Sequence, residues 1–209
     1  TGCGKSTLIN LIPRFYDVTE GEILLDDIDI RTVTQHELRD RIGYIPQRGV
    51  LFSGTIASNL RYANEFASDD ELLAAVATAQ AIDFVGSKRE GLNTEISQGG
   101  TNVSGGQRQR LSIARALVKD APIYIFDDTF SALDFKTDAA LRRALGRSAG
   151  QSTKLVVTQR VATIKDAEQI IVLDNGRVVG KGTHEELMEA CETYQEIALS
   201  QLSMEELQS

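Results

Sequence analysis

Positive charge, cysteine and long apolar runs are what this sequence has least of. Lys and Arg together number 22 against 30 Asp and Glu, a net charge of −8. A broad nucleic-acid footprint needs Lys and Arg clustered on one face, so no nucleic-acid partner is expected. There are two cysteines, Cys3 and Cys191, far apart in the chain. That excludes a disulfide framework and makes a reduced, cytosolic setting the default. No stretch approaches the roughly 20 apolar residues of a membrane-spanning helix. No secretory leader pattern, internal repeat or low-complexity segment is present either. What remains is 209 residues, 42% hydrophobic and 25% charged, enough for one domain with a substantial core.

The chain is organised around 103–134, VSGGQRQRLSIARALVKDAPIYIFDDTFSALD. Ser104-Gly105-Gly106-Gln107 has the Ser-x-x-Gln form of a capping box, in which Ser104 accepts from the Gln107 N–H and Gln107 reaches back. The two glycines let a ligand approach the main chain closely. A helix is predicted to follow through Lys119, with Leu111, Ala114, Leu117 and Val118 on its apolar side. Its N-terminus carries partial positive charge and suits phosphate. The apolar run Ile123–Phe126 reads as a buried parallel strand. It delivers Asp127 and Asp128 to the strand's carboxyl end, where ligands bind in open α/β sheets.

The first residues, Thr1-Gly2-Cys3-Gly4-Lys5-Ser6-Thr7, are most of the P-loop pattern G-x-x-x-x-G-K-[ST]. In such a loop backbone N–H groups around Gly2 to Lys5 cradle phosphate oxygens, Lys5 reaches the β- and γ-phosphates, and Ser6 holds Mg²⁺. The first glycine of the pattern would fall two positions before Thr1, so the sequence is expected to open inside the loop.

Taken together, these motifs resemble the nucleotide-binding domain of an ABC transporter, of the exporter type. The resemblance spans nearly the whole chain. It implies that VSGGQ is the signature motif, the strand with Asp127 the Walker B motif, and Ser131-Ala132-Leu133-Asp134 the D-loop. It implies ATP and Mg²⁺ as cofactors, with Ser6, Gln47 and Asp127 around the metal. Gln47, after the strand Ile42–Ile45, takes the Q-loop position, which touches Mg²⁺ and the attacking water. The segment from Leu51 to Ile56 resembles the exporter surface that receives a helix of the membrane domain. Thr94–Gly100 sits where exporters carry the X-loop, with Gln98 where a Glu is usual. The fold implied is α/β: a P-loop NTPase (RecA-like) core over 1–48 and 120–190, a small antiparallel β part, an inserted helical subdomain over 49–119, and a C-terminal helix over 191–209.

Other elements are read from pattern alone. Strands are predicted at Glu22–Leu25, Lys154–Val157, Glu168–Asp174 and Gly176–Lys181, the last two joined by the Asn175-Gly176 turn. Helices are predicted at Gln35–Arg41, Asp69–Gln80 (Leu72, Leu73 and Val76 inward), Ile82–Lys88 and Phe135–Ser148. A further helix follows the capping box at Thr183. His184 is read as a surface residue without a partner, and Glu192–Ser209 as an acidic, peripheral helix.

Two positions depart from the family pattern. Asp128 stands where competent members have a Glu that acts on the hydrolytic water. It is one carbon shorter, a retreat of roughly 1.5 Å, and a base must lie about 2.6–3.2 Å from its proton donor or act through water. Gln159 stands where the family has a switch histidine on the γ-phosphate; an amide can donate a hydrogen bond but cannot become cationic. Asp128, Gln159 and Gln47 are therefore the catalytic candidates of a slow site. The expectation is an ABC-type ATPase subunit in the degenerate role, paired with a non-identical nucleotide-binding domain and a transmembrane domain at the cytoplasmic face of the membrane. In the head-to-tail dimer implied, Ser104, Gly105, Gly106 and Gln107 complete the partner's site. Two other readings are a non-hydrolysing regulatory ATP-binding module and a soluble ABC ATPase; a P-loop kinase is excluded by SGGQ.

Overall fold

The computed structural model describes residues 2–148 and 150–202. In chain order the elements are α1 (Lys5–Leu11), β1 (Leu24–Leu25), β2 (Ile28–Asp29), α2 (Gln35–Asp40), β3 (Ile42–Ile45), β4 (Gly54–Thr55), α3 (Ile56–Arg61), α4 (Asp69–Thr78), α5 (Ile82–Gly86) and β5 (Glu95–Ile96). The chain continues with α6 (Gly105–Val118), β6 (Ile123–Asp127), α7 (Phe135–Ser148), β7 (Thr153–Val157), α8 (Val161–Ile164), β8 (Ile170–Asp174), β9 (Arg177–Gly182), α9 (His184–Ala190) and α10 (Glu192–Leu202). They fall into two compact units, Val33–Leu155 and Thr1–Thr32 with Val156–Ser209.

The Val33–Leu155 unit is built on β3 and β6, neighbours in the sheet order β3-β6-β7. β3 and β6 run parallel, from Ile42 opposite Ile123 to Ile45 opposite Phe126. Every residue of β6 is buried, as expected of a strand covered on both faces. α6 packs on β3, α3 and α4. Its buried apolar residues are Leu111, Ile113, Ala114, Ala116 and Val118, adding Ile113 and Ala116 to the predicted stripe, whereas Leu117, predicted on it, is only half-buried. In α4 the inward residues are Leu72, Ala75 and Val76. Leu73 is 37% exposed, a correction to the predicted stripe: one position after a core-facing residue on a 3.6-residue repeat, it turns away from the α6 contact. β5 was not anticipated in the Gly-rich loop 94–100; it pairs antiparallel with β4, Gly54 opposite Ile96. Two residues facing two residues leave no sequence period to detect.

In the other unit β1 and β2 form a hairpin through Asp26 and Asp27, both at positive φ (49° and 63°). The acids serve the turn, and the strand is shorter than predicted, Leu24–Leu25 only. β8 and β9 pair antiparallel around the Asn175-Gly176 turn, with an irregularity between Val172 and Leu173. Val161, Ile170, Val172, Leu187, Cys191, Tyr194 and Ala198 form one hydrophobic cluster. α10 is therefore not peripheral along its whole surface: Tyr194 and Ala198 are buried, and Gln201 Oε1 accepts from the Val161 N–H at 2.9 Å. Residues 203–209 of the predicted C-terminal helix lie outside the described residues. His184 is corrected as well: its Nδ1 lies 2.8 Å from the Tyr194 hydroxyl. Both cysteines are free. Among the described residues no helix is long and apolar enough to cross a membrane.

Candidate functional site

The P-loop begins with alternate left-handed glycines, Gly2 at φ 91° and Gly4 at φ 93°. Side chains rarely tolerate that backbone, which turns successive N–H groups towards one concavity. Gly4 is the N-cap of α1 and brings no side-chain cap to the helix start, where phosphate is favoured. A Cβ on Gly2 would meet nothing within 4 Å, so the space over the loop is open. Lys5 Nζ donates to Cys3 Sγ at 3.2 Å, and this bond lowers the Cys3 thiol below its ordinary value. Ser6 and Thr7 are exposed on the first turn, and Thr1 lies outside the described residues. This arrangement fits a polyphosphate: donors, a lysine and a hydroxyl around an open cradle.

The second group of candidates sits at the carboxyl end of β6. Asp127 closes the strand and is buried. One of its oxygens accepts a long hydrogen bond from the Tyr44 hydroxyl, at 3.3 Å. Burial first, and then the Asp127 charge and this bond, push the Tyr44 phenol up to about 12. Asp128 follows in the left-handed region, at φ 46° and ψ 28°. Its Oδ2 accepts from Gln47 Nε2 at 2.9 Å. Buried Thr129 donates through Oγ1 to the Ile45 carbonyl at 3.1 Å. Three side-chain bonds thus tie the end of β3 and the loop after it to the end of β6. Carboxylate, amide and hydroxyl oxygens are the hard donors that Mg²⁺ takes, usually one or two carboxylates with phosphate and water completing the shell. Asp127 and Gln47, both in the Val33–Leu155 unit, therefore carry donors that suit Mg²⁺.

The third group is the start of α6. Ser104 Oγ accepts from the Gln107 N–H at 3.2 Å, and Gln107 Oε1 accepts from the Ser104 N–H at 2.9 Å, the predicted capping box. The box satisfies two of the four free donors of the first turn. Among the described residues, the N–H groups of Gly105 and Gly106 are the two it leaves over. A Cβ on Gly105 would meet nothing within 4 Å, and one on Gly106 only the Ala132 carbonyl at 3.9 Å. A phosphate could approach this turn end-on. Asp134 of the SALD segment accepts from Thr137 N and Oγ1, at 2.9 and 2.7 Å, and these bonds lower its carboxyl.

Gln159, in the loop after β7, is exposed, and its carbonyl accepts from Gln201 Nε2 at 2.5 Å. Four contacts at this site join residues far apart in sequence and follow from no local pattern: Tyr44 on Asp127, Gln47 on Asp128, Thr129 on Ile45, and Gln109 on the Gln47 loop. For Gln109 a signal existed. It is a polar residue three and four places before the buried Ser112 and Ile113, on the core face of an apolar helix.

The comparisons agree with this geometry. The ABC transporter family profile matches residues 1–131. An ABC transporter ATP-binding protein of Mycobacterium tuberculosis (strain ATCC 25618 / H37Rv) is 50% identical over 204 residues, 96% of this chain and 35% of that protein. An ATP-dependent lipid A-core flippase of Syntrophus aciditrophicus (strain SB) is 46% identical over 188 residues, 90% of this chain and 31% of the flippase. The solved structure of a bacterial Atm1-family ABC exporter with ATP bound is similar at a TM-score of 0.93 and 41% identity, over 96% of this chain and 35% of that one. The chain thus spans about a third of the length of the relatives it matches. On its P-loop, its acid-terminated β6, its SGGQ helix and these matches, the chain belongs to the ABC transporter family, as an ATP-binding domain of the exporter type.

Proposed function

We propose that this chain powers export across a membrane as the slow-site partner of a heterodimeric ATPase. It binds ATP with Mg²⁺ on its own P-loop, and it lends Ser104–Gln107 to the competent site of a non-identical nucleotide-binding domain. Its RecA-like core spans 1–48 and 120–190, its helical subdomain 49–119 and its C-terminal helix 191–209. The observation that carries the slow role is the 2.9 Å bond from Gln47 to Asp128. The short carboxylate at the water-activating position is already engaged by the amide of the Q-loop, and Gln159, at the switch position, cannot become cationic. Mg²⁺, when bound, neutralises charge developing on the phosphates. Lys5 and the P-loop N–H groups would orient them, and Asp127 would supply a carboxylate oxygen of the kind the metal takes, as the Ser6 hydroxyl would. Gln47 and Asp128 hold water without efficiently taking its proton.

Attachment to a membrane domain has its own support. Next to the exporter-like segment lies a surface groove of about 420 Å³, lined by Thr55, Ser58, Arg61, Tyr62, Glu65 and Asn93. Phe52 and Tyr62 stack beside it, ring centres 4.6 Å apart, and both are exposed. A helix of a membrane domain at the cytoplasmic face would bury this pair.

The test is turnover of the purified pair. Asp128→Glu with Gln159→His is expected to raise hydrolysis at this site at least tenfold, since a positioned general base contributes roughly 10²–10⁴-fold. Replacing Gly105 by a bulky residue is expected to stop the partner's site. An unaffected partner would overturn the division of roles. A regulatory reading, in which ATP here only holds the dimer shut, also draws on the occupied Asp128; it predicts that labelled ATP on this chain survives many turnovers of the partner.

A further inference from the structure

We propose that Gln109 is a positioning residue that makes the SGGQ helix and the Gln47 loop one mechanical body. The proposal rests on the nucleotide-binding reading above and extends it to how the two ends of the Val33–Leu155 unit communicate. Gln109 is 2% exposed, one turn into α6 from the signature residues. Its Oε1 accepts from the Gly49 N–H at 2.7 Å, and its Nε2 donates to the Pro46 carbonyl at 3.1 Å. The two bonds close a bracket across Gln47 and Arg48. Both functions of the buried amide are used, and neither backbone group is left unsatisfied.

A second, independent observation concerns the other side of the same contact. A Cβ on Gly49 would lie 2.8 Å from the Arg108 carbonyl and 3.1 Å from Gln109 Cα. The loop therefore lies directly on the backbone of α6, with no room for any side chain at 49. The contact continues downstream through helix side chains. Arg115 of α6 donates to the Val50 carbonyl at 2.9 Å, and Asn59 of α3 brackets Phe52, accepting from its N–H at 2.8 Å and donating to its carbonyl at 2.9 Å.

Gln47 is thus suspended between two fixed points, Pro46 and Gly49, both held by the helix whose first turn is the signature. Its own amide ends on Asp128 at 2.9 Å. A shift of the α6 N-terminus is passed through Gln109 to Gln47, and from Gln47 to the carboxylate end of β6. Occupancy at the signature turn and metal-dependent occupancy beside Asp128 become coupled. Gln109 touches neither ligand and acts through Gln47.

Gln109→Met keeps the length of the side chain and removes both bonds. In the chain without nucleotide, amide exchange at Gly49 is expected to quicken roughly tenfold, the factor that one net hydrogen bond sets, while the amides within α6 keep their rates. By calorimetric titration, ATP affinity without Mg²⁺ stays within twofold, and the tightening that Mg²⁺ adds falls about tenfold, as for lost support behind a ligand. On a Gln47→Ala background the same change has no further effect, because the route runs through Gln47. Gly49→Ala presses on the contact from the opposite side and gives the same pattern, which covers a Gln109→Met chain that folds poorly. Unchanged Gly49 exchange, or a loss that adds in full to Gln47→Ala, overturns the assignment of Gln109. A parent chain whose ATP binding ignores Mg²⁺ overturns the nucleotide reading itself, and this proposal with it. A Mg²⁺-dependent parent matched by Gln109→Met sinks only the role of Gln109.

Discussion

Two helix N-termini in this chain are built in opposite ways. α1 opens on Gly4 in the left-handed region, has no side-chain cap and runs for 7 residues. α6 opens on Ser104 in extended conformation, closes a reciprocal capping box and runs for 14. The first has no side-chain cap, turns on two left-handed glycines and adds a lysine. The second satisfies half of its own donors and keeps only two glycine N–H groups open. A P-loop grips a ligand at the expense of its own structure, whereas the signature turn is a finished helix end that a ligand merely visits.

The sharpest way to break this contrast is to remove the residue that defines each end. Lys5→Ala is expected to weaken ATP binding about 100-fold, the roughly 3 kcal/mol upper range of a hydrogen bond to a charged group, with little change in unfolding free energy. Ser104→Ala should do the reverse, costing about 1 kcal/mol of stability by denaturant titration with this chain's own ATP affinity intact. Equal effects of both changes on binding would remove the distinction.

Next in size are two glycine substitutions of opposite sign. Gly4→Ala places a Cβ at φ 93° and should cost about 1–2 kcal/mol. Gly105→Ala sits in an ordinary helical position with nothing within 4 Å of its Cβ. It should be neutral or stabilise by up to about 1 kcal/mol, because Ala outranks Gly in helices. Two losses of similar size in thermal melting would mean that α6 also needs a special backbone at its start.

The effect confined to alkaline pH concerns the carboxylate end of β6. The folded Tyr44 phenol keeps its proton to about pH 12, whereas the unfolded one releases it near its ordinary value of 10. Above pH 10 the unfolded state therefore binds fewer protons, and stability falls as pH rises from about 10 to 12. Tyr44→Phe should flatten that part of the stability curve and leave it unchanged below pH 9. A parallel fall in both proteins would assign the slope to other groups, such as Tyr124 and Tyr194, whose phenols are also raised by burial.

Much of the fold could be read directly. The helix Phe135–Ser148 and the strand Ile42–Ile45 lie where periodicity predicted them, because each has a length and an apolar pattern that one conformation satisfies best. The failures share a cause. β4–β5 pairs two residues with two, too few to carry a period. Leu73 has the chemistry of a core residue but the wrong angle around α4. The partners of His184 and Gln109 lie 10 and about 60 positions away in sequence, and no local rule reaches that far. In the candidate site, residue types and motif order were legible, since a P-loop or a capping box is a local device. The Tyr44–Asp127 and Gln47–Asp128 bonds were not, being separated by 83 and 81 positions.

By itself, then, the order of residues determined the helix starts, the glycine turns, the buried strand with its two acids and, through them, the family. These depend on interactions among near neighbours, whose geometry the backbone repeats wherever the pattern occurs. Only the tertiary structure decided which polar side chains meet: the amide of Gln47 on Asp128, the phenol of Tyr44 on Asp127, and the bracket of Gln109 across the loop between β3 and β4. The Tyr44 and Gln109 bonds are partly buried, where an unpaired polar group is costly, whereas Gln47 meets Asp128 at an exposed position that the parallel sheet brings together from distant strand ends.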